Sequence, residues 1–110
     1  MSFWRLCRRL SIDVKRMKYV HYRSVGNTVG IDPNVEDYWE IDLDCYVTRS
    51  ITILSDGARL KYDLINDADE LGALPEGKIT SDMLFDTSFG IATFISLAEF
   101  EAAWALTSEL

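Results

Sequence analysis

Apolar and polar residues alternate along most of this chain, and the period changes near its end. Lys18–Val25 (KYVHYRSV) alternates and is rich in β-formers, which predicts a first strand with Val20 and Tyr22 on one face and Tyr19, His21 and Arg23 on the other. Gly26–Asn34 holds two glycines, a proline and two asparagines and reads as a loop. Val35–Ile41 predicts a second strand, which Asp42–Asp44 either extends or turns. Cys45–Leu54 and Arg59–Leu64 both alternate around Asp56-Gly57, a dipeptide that favours a type I′ hairpin turn. That turn pairs Leu54 with Arg59, Ile53 with Leu60, Thr52 with Lys61 and Ile51 with Tyr62. One face then carries Ile51, Ile53, Leu60 and Tyr62, and the other Thr52, Leu54, Arg59 and Lys61.

The spacing is looser downstream. Ile65–Lys78 reads as a long loop, Thr80–Asp86 as one or two helical turns capped by Thr80 or Ser81, and Ile91–Ile95 as a short strand. In Ser96–Glu109 the period becomes helical. Ser96 and Glu99 form a capping-box pattern, and Leu97, Phe100, Ala103, Trp104 and Thr107 share one face. The expected fold is therefore α+β: an antiparallel sheet of about four strands, with the C-terminal helix laying Phe100 and Trp104 on its apolar face.

Length and charge narrow the function classes. The chain has 110 residues, enough for one domain, expected over 17–110. Its net charge is −7, unevenly spread. Residues 1–16 carry five basic side chains against Asp13, whereas the rest carries six against seventeen acids. So acidic a body repels phosphate backbones, which argues against a nucleic-acid ligand and for a basic partner. Cys7 and Cys45 form no disulfide framework and fit a reducing, cytoplasmic setting. One histidine leaves no Cys/His zinc pattern, and no cofactor motif is present, so no cofactor is expected.

Residues 1–16 are basic, with Phe3, Trp4, Leu6, Cys7, Leu10 and Val14 near helical spacing. Arg8 and Arg9 break any signal-peptide core. An interfacial membrane helix is one reading, and membrane contact is expected only if this extension is real. The favoured reading is a start-site artefact, with translation beginning at Met17.

From Met17 onward the chain resembles a bacterial family known as domain of unknown function 6881. The pieces that carry the resemblance are MKYV at 17–20, Tyr38-Trp39-Glu40-Ile41-Asp42 with Asp44, and Arg49 with Ile51 and Ile53. The Asp56-Gly57 turn, Tyr62, Ile95-Ser96 and Glu99–Trp104 (EFEAAW) complete it. Cys45–Thr48 departs from the charged residues that members carry there. The resemblance implies a small α+β fold and supplies no activity.

His21 is the only candidate neutral-pH base, and the sequence places no nucleophile beside it. The acidic run Glu36, Asp37, Glu40, Asp42, Asp44 lacks EF-hand spacing and reads as a solvated face partly paired with Arg59 and Lys61. Arg49 follows the parity of Val47, Ile51 and Ile53, so it needs a carboxylate, Glu40 or Glu36, on the neighbouring strand. A Tyr38–Glu40–Arg49–Tyr62 cluster with Asp42 and Asp44 is the candidate binding region. The leading expectation is a non-enzymatic acidic protein-binding domain, an immunity- or antitoxin-type protein docking a basic partner. The rivals are a small-ligand binder or enzyme using the Arg49/Glu40 neighbourhood, and membrane recruitment through residues 1–16.

Overall fold

The computed structural model describes residues 17–25 and 35–107. The readings placed on residues 1–16, on the Gly26–Asn34 loop and on the last helical residues lie outside them.

Five strands form one antiparallel sheet: β1 (Lys18–Ser24), β2 (Glu36–Ile41), β3 (Val47–Ile53), β4 (Arg59–Asp63) and β5 (Gly90–Ile95), in the order β4-β3-β2-β1-β5. A short helix α1 (Ser81–Phe85) precedes β5, and α2 (Leu97–Leu106) follows it. The α+β class and the C-terminal helix are as expected, and the sheet has five strands rather than about four. The fifth is the short strand at 91–95, which pairs with β1 and so returns the chain beside the first strand.

Both faces of the sheet are covered. On the first, Val20, Ile41, Val47, Leu60 and Tyr62 pack with Leu74 and Leu84 from the connection after β4, with Tyr22 and Trp39 at the margin. On the second, α2 sets Phe100 against Tyr19, ring centroids 5.3 Å apart. Its start is fixed by the capping box: Ser96 Oγ accepts the Glu99 N–H (3.1 Å), and Glu99 Oε1 accepts the Ser96 N–H (3.2 Å).

The β3–β4 register differs by one residue from the expected one. Ile53 lies opposite Arg59, Thr52 opposite Leu60, Ile51 opposite Lys61 and Ser50 opposite Tyr62. The cause is the turn. The Leu54 N–H donates to the Ala58 carbonyl (2.8 Å) and the Gly57 N–H to the Leu54 carbonyl (2.9 Å). Gly57 has φ +88°, while Asp56 does not have positive φ. This is a three-residue loop with glycine in the left-handed position, not a type I′ turn. The one-residue shift puts Ile51 and Ile53 on the α2 face with Lys61 and Arg59, and Leu60 and Tyr62 on the opposite face.

A second irregularity affects β3. Glu40 lies opposite Arg49 and Ile41 opposite Val47, so Thr48 is bulged. Val47 therefore joins the first core, whereas Arg49 faces α2. Their expected shared parity fails at the bulge.

Candidate functional site

Arg49 is the hub of the α2 face. Its Nε donates to Glu40 Oε1 (3.0 Å) and its Nη2 to Glu40 Oε2 (2.6 Å), a two-pronged pairing across β2 and β3. The same Nη2 pairs with Glu101 on α2. The guanidinium carbon lies 4.8 Å from the Phe100 ring centroid and 5.0 Å from that of Trp104. Lys61 Nζ lies 4.3 Å from the Trp104 ring centroid and donates to the Thr107 carbonyl (3.2 Å).

Glu40 is only 7% exposed and also accepts from Thr48 Oγ1 (2.7 Å). Burial pushes its carboxyl up, but hydrogen bonds from Arg49 and Thr48 outweigh this and hold it below the usual glutamate range. Burial works against the Arg49 charge as well, and Glu40 and Glu101 outweigh it, so Arg49 is held more firmly protonated. The Tyr19 hydroxyl is pushed up to about 12 by burial and by neighbouring Glu40. Arg49 thus engages Nε, Nη2 and two aromatic rings within the fold. The cluster joins sheet to helix.

The other residues singled out from sequence disperse. Tyr38 shares the α2 face and packs on His21, centroids 4.7 Å apart. His21 Nε2 donates to Glu36 Oε1 (2.8 Å), so it is engaged by a carboxylate rather than by a nucleophile. Asp37 points to the opposite face and accepts from Thr52 Oγ1 (2.6 Å). Asp42 Oδ1 accepts the N–H groups of Asp44 (2.9 Å) and Tyr46 (3.0 Å), which shapes the β2–β3 loop, and Asp44 is exposed there. The acidic run is therefore not one face, because strand alternation splits it. Tyr62 does not join the Arg49 cluster. It lies across the sheet, where its hydroxyl donates to Asp69 (2.7 Å).

That bond organises a region the sequence showed only as loop. Between Asp63 and Glu76 stand Asp63, Asp67, Asp69, Glu70 and Glu76, with no lysine or arginine. The segment is tied down. Asp69 Oδ1 also accepts the Leu71 and Gly72 N–H groups (2.9 and 3.1 Å), Asp63 Oδ1 accepts those of Ile65 and Asn66 (2.9 and 2.7 Å), and Ala68 bridges Ala73. Leu74 anchors the segment in the core, while Leu64, Leu71 and the 89% exposed Ile65 project outward. Between this loop, β4 and Trp104 lies a cleft of about 320 Å³, with Arg59 and Lys61 beside Asp63 and Asp69. The Tyr62 hydroxyl is pushed up to about 12 by burial and by Asp69.

A second pocket of about 290 Å³ lies beneath α1, lined mostly by Tyr22, Trp39, Ile79, Met83, Leu84 and Phe89, with Asp86 at its border. Tyr22 and Trp39 stack 5.0 Å apart, and the buried Trp39 Nε1 has no hydrogen-bond partner among the described residues. The described residues contain no group of three or more side chains placed to hold a metal, and none of their helices is long and apolar enough to cross a membrane. Comparison of the chain with family models, curated proteins and solved structures found no match.

Proposed function

We propose that this chain is a non-enzymatic docking domain for a basic protein, with the Asp63–Glu76 loop as its contact surface. The observation that carries the proposal is that loop's combination of five carboxylates, no cation, three projecting apolar residues and a pinned backbone. Acids free to move would form only a solvated charge run. Acids fixed around Leu64, Ile65 and Leu71 make a polar rim around apolar anchors, which is how protein interfaces are commonly built. An immunity or antitoxin protein, which blocks a basic toxin by covering it, is the class this description fits.

The test is capture from the native host with the full chain as bait, at low and high salt. A basic protein that is bound at low salt and released at high salt is expected. Ile65→Ser or Leu71→Ser should weaken its binding about tenfold, the size of a moderate hot spot. Binding unaffected by salt and by both substitutions would refute this surface.

A second reading draws support from the pocket beneath α1. Its apolar walls and the unpaired Trp39 Nε1 suit a small apolar ligand bearing a hydrogen-bond acceptor. Such a ligand should raise the melting temperature of the wild type and not of Trp39→Phe.

A further inference from the structure

The sheet ends in two strands, β4 and β5, and they are protected very differently. Sheet edges attract other strands, and proteins commonly blunt them with charge. β4 carries Arg59, Lys61 and Asp63, and the Asp63 N–H is used locally by the Asn66 carbonyl (3.1 Å). β5 reads GIATFI and has no charged residue.

The ladder shows which β5 groups face outward. The Val25 N–H donates to the Phe89 carbonyl (3.1 Å), which marks Val25 and Phe89 as a hydrogen-bonded pair. Alternation from there, in the β1–β5 register, directs the backbone groups of Ile91, Thr93 and Ile95 toward β1. Those of Gly90, Ala92 and Phe94 point away from it. Among the described residues no strand pairs with that side. Large exposed apolar side chains border it, with Phe94 (52% exposed) on one face of the sheet and Ile91 (46%) on the other, and Phe85, Phe89 and Leu97 are exposed in the segments that flank the strand in sequence.

We propose that β5 is a homodimer interface, in which two copies pair their β5 strands antiparallel about a two-fold axis at Ala92 to form one continuous ten-stranded sheet. The strand is its own complement in this register. Gly90 meets Phe94 of the second copy, Ala92 meets Ala92, and Phe94 meets Gly90, so every outward donor and acceptor is used. The intervening pairs set Ile91 against Thr93, and Phe89 falls against Ile95. All are apolar or β-branched, a favourable set of cross-strand neighbours. No charges oppose each other across the axis, although the body is acidic elsewhere. The contact is isologous and closes at two copies. It lies apart from the Asp63–Glu76 loop, so either assignment can fail without the other.

The experiment is sedimentation of the full chain from about 10 to about 300 µM, the range in which a dissociation constant of tens of micromolar is read. Wild type should shift from monomer toward dimer with concentration. Phe94→Lys and Ile91→Lys, which alter exposed side chains on opposite faces, should each stay monomeric with the far-ultraviolet circular dichroism of the wild type. Leu106→Lys, on the far end of α2, should dimerise as the wild type does. A wild type that stays monomeric throughout overturns the proposal, and so does a dimer that survives both β5 substitutions. If one β5 variant fails to fold, the other decides.

Discussion

Two residues hold backbone positions that their neighbours dictate. Cys45 has φ +70° in the β2–β3 loop, where the Asp42 N–H donates to the Tyr46 carbonyl and the Cys45 N–H to the Asp42 carbonyl (2.9 and 3.1 Å). This is the same bonding pattern as in the β3–β4 loop, where the equivalent position is Gly57. A side chain in the left-handed region costs about 1–2 kcal/mol, and glycine's extra unfolded-state freedom offsets part of the gain from removing it. Cys45→Gly should therefore raise stability by about 1 kcal/mol, read as a melting temperature several degrees higher. A lower melting temperature would show that the cysteine side chain packs more usefully than its backbone is strained. Gly90 is constrained by contact rather than by φ. A Cβ there would lie 2.3 Å from Tyr22 Cε1 and 2.4 Å from Cζ, and the Tyr22 ring is stacked on Trp39. Gly90→Ala should cost about 1–3 kcal/mol by overpacking, and an unchanged melting temperature would refute that close approach.

At the scale of elements, β2, β3 and α2 are fastened by Glu40, Arg49 and Glu101. Arg49→Ala strands the buried Glu40 carboxylate and should cost about 3–5 kcal/mol, whereas Phe100→Ala should cost a similar amount by opening a cavity. Trp104 is only half-buried, so Trp104→Ala should cost less than Phe100→Ala. Denaturant titration of a Glu40→Gln/Arg49→Ala cycle measures the coupling, and additive effects would disprove the pair. The folded-state pKa of Glu40 is depressed. Its contribution is therefore fully present above the ordinary value of 4.5 and is lost as pH falls through the lower folded-state value. Wild type and Glu40→Gln should converge in acid and diverge above it. Asp37 has the opposite sign, because burial raises its pKa and its cost to the fold fades on acidification. That Arg49 needs a carboxylate on the neighbouring strand was legible in the sequence, which offered Glu40 or Glu36; the strand register selects Glu40. The elements and the α2 capping box were legible from periodicity. The β3–β4 register was not, since Asp-Gly serves both a two-residue and a three-residue loop and only tertiary packing selects one. Thr48 gave no signal of its bulge, and that concealed the separation of Val47 from Arg49. Tyr62 was misplaced through the same register slip.

Across the whole molecule, charge and edges divide the surface. The acids of the β2 region are divided between faces by strand alternation, whereas the five of the Asp63–Glu76 loop, which periodicity alone shows only as irregular chain, stand on one ordered segment. Strand β4 beside it is charged, and β5 at the opposite edge carries no charged residue. One end of the sheet thus suits an electrostatic partner and the other a second copy. The most direct measurement of the docking account is parallel capture from the native host with the wild-type chain and an Asp67→Lys/Glu70→Lys chain as baits. Both substituted side chains are exposed, so the fold should persist. A basic protein should be retained by the wild type and lost from the charge-reversed bait. The same protein held equally by both baits, or no basic protein on either, would contradict the docking account.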